Sequence, residues 1–174
     1  MSSTDGDRTL PTREELYCKA EHVLELAAQH RLTVGTAESC TGGLVAAELT
    51  EVPGSSAVVR GGVVSYAIPV KHEVLGVSST ILDAPGVGAV SHECAEQMAV
   101  GARRVLGCDV AVSVTGIAGP GGEEPGKPVG TVWFGCSSGD SVTSELHTFT
   151  GSRAEVRAKA VAAALDILAK ALDA

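Results

Sequence analysis

Apolar residues that recur every three or four positions predict the helices of this chain. Long helices are expected from residue 12 to about residue 30, from Ser91 to Gly107, and from Ser152 to near the C-terminus. The first and last of these begin with a Thr or Ser three residues before a Glu, a capping box that satisfies free N–H groups at a helix start. Shorter helices are expected over residues 44–49 and 70–75.

Runs rich in β-branched residues lie between these helices and predict the strands. The expected strands occupy residues 32–35, 57–66 and 110–115, followed by a hairpin of 129–137 and 141–150. Helices that alternate with strands before a terminal hairpin predict an α/β fold, a single three-layer α/β/α domain with a mixed sheet. We expect this domain to span residues 12–174, after a flexible N-terminal tail at residues 1–11.

The composition argues against nucleic acid, membrane and metal as partners. Aromatic residues make up only 3% of the 174 residues and the formal net charge is −8, whereas nucleic-acid binding needs stacking rings and clustered cations. No apolar run approaches the length of a membrane span, and the first residues lack the pattern of a signal peptide. The histidines have no metal-ligand spacing, so we expect no metal. These features predict a cytoplasmic protein.

A cluster of reactive side chains joins the first predicted strand to the helix at residues 44–49. Ser39, Cys40 and Thr41 stand together there, followed by Gly42 and Gly43. Free N–H groups at a helix start attract negative charge, so a nucleophile placed there meets oriented donors. The alternative interpretation is that Ser39 and Thr41 only cap the helix. Three reactive groups before two glycines favour a functional site.

Three further positions carry candidate chemistry. The segment 115–119, which includes Thr115, Gly116 and Gly119, follows a buried strand, and ligands of α/β sheets bind beyond such strand ends. A flexible connection is an equally good interpretation of that segment. Lys71 could lose its proton in a pocket and act as a base, assisted by Tyr66, although each alone is more often a surface or half-buried residue.

Arg153 is the third of these positions. It lies in the first turn of the last predicted helix, directly after the capping residue Ser152. A guanidinium and free backbone N–H groups together favour a phosphate at such a position. Arg153 is therefore a candidate phosphate contact.

Several short sequence segments, in the same order along the chain, resemble those of one family. This family is the C-terminal domain of the competence/damage-inducible CinA proteins, the nicotinamide-nucleotide amidohydrolases. The match runs from about residue 12 to the C-terminus. Some members carry an additional N-terminal nucleotide-processing domain, which this sequence lacks, so we expect no pyrophosphatase activity. The segments are residues 36–43, 53–56, 62–66 with Lys71, 88–91, 113–120 and 127–132.

The resemblance implies hydrolysis of the carboxamide of nicotinamide mononucleotide (NMN), giving nicotinate mononucleotide and ammonia. The resemblance implies that Ser39 takes the position of the family's nucleophile, Lys71 that of its general base, and Tyr66 that of an assisting group. Backbone N–H groups near Thr41, Gly42 and Gly43 would hold the oxyanion. The 5′-phosphate would contact Arg153 or the segment 115–119.

The resemblance implies no metal or organic cofactor. We expect the binding partner to be a small nucleotide substrate. We also expect the chain to form a homo-oligomer. Two alternatives stay open. The chain could be a non-catalytic nucleotide-binding or regulatory module of the same family, or an amidase that uses the Cys40 thiol as its nucleophile.

Overall fold

The strands of the computed structural model, which describes residues 4–6 and 9–174, belong to one mixed sheet. They are β1 (Thr4–Gly6), β2 (Val34–Glu38), β3 (Val59–Val64), β4 (Val110–Gly116), β5 (Thr131–Ser138) and β6 (Ser141–Phe149). The α-helices are α1 (Arg13–His30), α2 (Leu44–Glu51), α3 (Ile68–Glu73), α4 (Ser79–Leu82), α5 (His92–Leu106) and α6 (Arg153–Leu172). A short 3-10 helix covers Ser55–Ala57.

The order of strands across the sheet decides which loops can meet. The order is β1-β6-β5-β4-β2-β3, with β2 parallel to both of its neighbours, β3 and β4. Strand β5 runs antiparallel to β4 and to β6, so β6 points in the same direction as β4. The carboxyl ends of β2, β3, β4 and β6 therefore lie at one edge, where α/β sheets bind ligands.

Helices cover both faces of the sheet and give three layers. On one face, α1, α2 and α6 bury an aliphatic core that includes Val23, Leu49 and Leu165. On the other face, Met98 of α5 packs with Leu75 and neighbouring aliphatic side chains. The predicted three-layer α/β/α domain with a mixed sheet is confirmed.

The local signals for helix ends are also confirmed. Both capping boxes form, with Thr12 and Ser152 accepting from the third helical N–H and the glutamates bonding back. The expected end of the first strand is wrong, because β2 continues from Gly35 to Glu38. Gly35 does not break the strand: a Cβ there would lie 2.7 Å from Leu106 Cδ1, so the missing side chain makes room for close packing.

The N-terminal segment differs from the loose tail expected over residues 1–11. Thr4–Gly6 forms an edge strand that pairs in parallel with β6, with Thr4 opposite His147. Residues 1–3, 7 and 8 of that expected tail lie outside the described residues. Within the described part of the chain, no helix is both long and apolar enough to cross a membrane.

Candidate active site

The loops that follow the parallel strands bring the candidate residues to one edge of the sheet. Ser39 follows β2 directly, and Tyr66 and Lys71 follow β3. The Ser39 N–H donates to the Val114 carbonyl of β4 at 2.9 Å, so the loop after β2 lies beside the end of β4. The two segments that the sequence singled out, around Ser39 and around Thr115, are therefore adjacent.

The Lys71 amine is the most unusual group at this edge. Its residue is only 1% exposed, and Nζ lies 2.9 Å from the Ser39 hydroxyl oxygen. Nζ also donates to the carbonyls of Ser65 at 2.5 Å and Tyr66 at 3.4 Å. Among the described residues no acidic side chain forms an ion pair with it. Burial lowers the pKa of Lys71 below its ordinary value.

The contacts of Nζ can be made by an ammonium, which donates to all three oxygens, or by a neutral amine. A neutral primary amine has two N–H donors and one lone pair. The carbonyls of Ser65 and Tyr66 can accept the two N–H groups, which leaves the lone pair for the Ser39 hydroxyl. In that state Lys71 can take the Ser39 proton and turn the hydroxyl into a nucleophile.

Glu38 is a buried residue beside Ser39 that the sequence analysis did not single out. Its carboxylate is buried and accepts four hydrogen bonds, from the Thr36 hydroxyl and from the N–H groups of Gly43, Val45 and Ala46, at 2.9–3.1 Å. The carboxylate therefore binds the start of α2 from inside the protein, where the helix dipole favours negative charge.

Glu38 also excludes the simple capping interpretation of Ser39 and Thr41. The N-cap residue of α2 is Gly43, with φ of 99°, and no side chain of its own caps the helix. A helix that starts at a glycine needs an acceptor from elsewhere, and Glu38 supplies it. The sequence carried one sign of this contact: the Glu38 carboxylate lies five residues before Gly43, the glycine at the N-cap.

The N–H groups of Gly42 and Gly43, which were expected to hold an oxyanion, have acceptors within the protein. The Gly43 N–H is occupied by Glu38, and the Gly42 N–H donates to the Ser39 carbonyl at 3.0 Å. The N–H groups of Cys40 and Thr41 donate to no oxygen atom of the described residues. Of the residues expected to hold an oxyanion, Gly42 and Gly43 thus have N–H groups that are bonded within the protein, and Thr41 is fully buried.

Arg153, Gly119 and Tyr66 form a second cluster at the same edge. Arg153 donates to the Gly119 carbonyl at 2.8 Å and to the Tyr66 phenol oxygen at 3.0 Å. Tyr66 reaches Lys71 through its backbone carbonyl, and the residue as a whole is 60% exposed. The structure thus brings Arg153 to the segment 115–119, and it places the phenol beside Arg153 instead of beside the Ser39–Lys71 pair.

Thr115 and Gly116 shape the loop after β4. The Thr115 hydroxyl is buried and donates to the Ala89 carbonyl at 2.6 Å. A Cβ on Gly116 would lie 2.7 Å from the Thr131 carbonyl oxygen, so this glycine allows β4 and β5 to approach closely. Thr115 and Gly116 therefore both hold in place the segment that carries Gly119.

Cys40 lies in the core rather than in the cleft. It is only 5% exposed and packs among the aliphatic side chains under α2 and α6. Burial raises the pKa of the Cys40 thiol to about 11, so the thiol is protonated at neutral pH. A thiol in this state is a poor nucleophile. Within residues 4–6 and 9–174, no group of three His, Cys, Asp or Glu side chains could hold a metal ion.

Known proteins with related sequences share this domain. The family model "CinA C-terminal domain" matches residues 17–172. A CinA-like protein of Mycolicibacterium gilvum is 49% identical over 144 residues, which cover 80% of this chain and 33% of that protein. One of Leptospira borgpetersenii is 50% identical over 127 residues, covering 73% of this chain and 30% of that protein. The chain thus spans about a third of the length of these curated relatives.

Solved structures match almost end to end. A competence/damage inducible protein of Agrobacterium tumefaciens superposes with a TM-score of 0.86 at 40% identity, covering 96% of this chain and 99% of that one. A CinA superfamily protein of Klebsiella pneumoniae gives a TM-score of 0.86 at 34% identity, covering 91% and 98%. Because the family model matches residues 17–172, nearly the whole of this chain, the chain belongs to the CinA C-terminal domain family.

Proposed function

We propose that this chain hydrolyses the carboxamide of nicotinamide mononucleotide to nicotinate mononucleotide and ammonia, with Ser39 as nucleophile and Lys71 as general base. The observation that carries the proposal is the 2.9 Å contact between Lys71 Nζ and Ser39 Oγ, made by a buried amine that has no ion-pair partner in the part of the chain that the structure describes. Membership of the CinA family supports the choice of substrate, because the chain resembles the members that act on this nucleotide.

The first half of the reaction forms an ester and releases ammonia. The Ser39 oxygen attacks the carboxamide carbon while its proton moves to the neutral Lys71 amine. The negative charge that develops on the carbonyl oxygen is stabilised by backbone N–H groups. When the tetrahedral intermediate collapses, the C–N bond breaks, and the Lys71 ammonium gives its proton to the departing nitrogen, which leaves as ammonia.

The second half regenerates the enzyme. Lys71, neutral again, takes a proton from a water molecule that attacks the ester carbon. The bond from carbon to the Ser39 oxygen then breaks, and the proton held by Lys71 returns to that oxygen. The products are the free serine and the nucleotide carboxylic acid, which releases its proton to solvent and becomes the carboxylate. One amine therefore serves as base and acid in both halves, and no other titratable group is required at the reacting end.

Arg153 is proposed to bind the other end of the substrate. Its guanidinium stands at the start of α6, exposed and next to Gly119, with the free N–H groups of the helix nearby. A phosphate dianion favours both kinds of donor. The Tyr66 phenol, bonded to the same guanidinium, would fix its orientation.

The two alternatives make different demands on the site. The thiol amidase needs an accessible thiolate, and Cys40 is buried with a raised pKa, so the Ser39 mechanism fits better. A non-catalytic nucleotide-binding module predicts binding of NMN without ammonia release. The assay of ammonia formed from NMN therefore separates the enzyme from the binding module.

We predict that Ser39→Ala lowers the turnover of NMN by on the order of 10⁴-fold, because the nucleophile is lost. The matched control is the neighbouring Cys40→Ala, which should keep kcat within a few-fold of wild type. Coupled detection of ammonia in both variants checks this. The assignment is overturned if the cysteine variant is inactive and the serine variant keeps its turnover.

We predict that Lys71→Arg lowers kcat by about 10²- to 10⁴-fold, because a guanidinium keeps its proton at ordinary pH and cannot act as a base. In the wild type, activity should fall as the pH drops through the lowered pKa of Lys71, since only the neutral amine accepts the serine proton. Lys71→Met, which removes the amine altogether, should be equally inactive. Near-normal rates in Lys71→Arg would exclude the base role.

We predict that Arg153→Ala raises KM for NMN by about 10- to 100-fold, the size of a lost charge-assisted contact. The unphosphorylated riboside is the internal control, because its KM should change little in the same variant. Kinetics of both substrates with both proteins measure the change in preference. An unchanged preference for the phosphorylated substrate would place the phosphate elsewhere.

A further inference from the structure

The backbone of Glu38 connects the candidate nucleophile to the candidate base. Glu38 precedes Ser39 directly, and its carbonyl accepts from the Ser65 N–H at 2.8 Å. The Ser65 carbonyl in turn accepts from the Lys71 amine, and that amine lies 2.9 Å from the Ser39 hydroxyl oxygen. These four residues form a closed ring of contacts, so the position of Ser39 relative to Glu38 sets the distance from nucleophile to base.

The side chain of Glu38 closes the turn that begins with the nucleophile. This turn, residues 39–42, joins the end of β2 to Gly43, the N-cap of α2. The Glu38 Oε2 atom accepts from the N–H groups of Gly43 and Val45 at 2.9 and 3.1 Å, and Oε1 accepts from the Ala46 N–H at 2.9 Å. One side chain thereby ties the two ends of the turn together.

Arg157 of α6 holds the middle of the same turn. Its Nε donates to the Cys40 carbonyl at 3.0 Å, and its Nη2 donates to the Thr41 carbonyl at 3.1 Å. Arg157 therefore fixes the two peptides after Ser39, whereas Glu38 is joined covalently to Ser39 itself. Of these two charges, the carboxylate has the more direct hold on the nucleophile.

The donors around Glu38 require a side chain that only accepts hydrogen bonds. Besides the three N–H groups, the Thr36 hydroxyl donates to Oε1 at 3.1 Å, and Glu38 is 1% exposed. A carboxylate presents acceptors alone, whereas a glutamine carries an NH₂ group in place of one oxygen. In a glutamine variant at least one buried N–H of α2 would face a donor and lose its acceptor, so the turn would have to move.

We propose that Glu38 is a positioning residue whose carboxylate holds the Ser39 hydroxyl at hydrogen-bond distance from the Lys71 amine. The serine proton can pass to the amine only across such a contact, and a displacement of about 1 Å costs on the order of 10²-fold in rate. The inference rests on the proposed role of Ser39 as nucleophile. It does not depend on the identity of the carboxamide substrate.

A fluorophosphonate probe tests the inference without that substrate. The Ser39 oxygen attacks phosphorus, the O–P bond forms, the P–F bond breaks to release fluoride, and the serine proton moves to Lys71. Mass spectrometry follows the labelling of Ser39 over time. The rate constant reports how well the base activates the serine, whereas the final extent of labelling reports the fraction of folded protein.

The decisive variants are Glu38→Gln and Glu38→Asp. The glutamine variant should be labelled on the order of 10²-fold more slowly but to full extent, because the serine is displaced in a folded protein. The aspartate variant keeps both oxygens but reaches less far, so its rate constant should be intermediate. With NMN, both variants should lower kcat and leave KM nearly unchanged.

The matched control is Glu48→Gln, which removes another buried carboxylate from α2. Glu48 is 6% exposed and accepts from Arg13 of α1 at 3.0 Å. Its loss should lower the melting temperature, because the bond between α1 and α2 is weakened. The rate constant for labelling of Ser39 should equal that of wild type, since Glu48 bonds to α1 instead of to the turn.

The outcomes separate this inference from the proposed function. A folded Glu38→Gln protein labelled at the wild-type rate would overturn the inference, and so would an equal slowing in Glu48→Gln. If Glu38→Gln does not fold, a wild-type rate in Glu38→Asp overturns the inference, and a slower rate at full extent supports it. Labelling of the wild type without ammonia release from NMN would refute the substrate and leave the inference standing. A wild type that the probe does not label at Ser39 would contradict both.

Discussion

The burial of the Lys71 amine, with no opposing carboxylate among residues 4–6 and 9–174, is the constraint on which the rest of the site depends. A charged ammonium at this depth would lose several kcal/mol of hydration with no ion pair to offset the loss. Burial therefore lowers the pKa of Lys71, and the Ser65 and Tyr66 carbonyls accept hydrogen bonds from the amine. The adjacent ends of β2 and β3 bring Ser39 to the same amine. Under the proposed mechanism, the fold stabilises a base at the position where the serine needs one.

Two buried or partly buried charges fix the turn that carries the nucleophile. Glu38 accepts from the N–H groups at the start of α2, and Arg157 donates to the carbonyls of Cys40 and Thr41. Each charge binds the backbone group of opposite polarity, so the two leave the peptide little freedom to rotate. Under the proposed mechanism, oriented dipoles of this kind would stabilise developing charge without reorganising during the reaction.

The sequence predicted the features that depend on local signals. Capping boxes at Thr12 and Ser152 located α1 and α6, since such contacts span only three residues. The Ser39 turn and Lys71 were identified as candidates, but their 2.9 Å contact joins positions 32 residues apart. The Tyr66 phenol was expected near Lys71, whereas its partner is Arg153, 87 residues away. Roles set by such distant neighbours cannot be derived from spacing along the chain.

The titration of the Lys71 amine by NMR tests the central claim most directly. Protein with isotope-labelled lysine would be followed over pH, with Lys71→Arg identifying the signal. The account predicts a pKa well below the ordinary 10.5, so that the amine is neutral over the pH range in which the enzyme is active. A Lys71 signal that titrates at or above 10.5 would contradict the account, because the buried amine would then be a permanent cation.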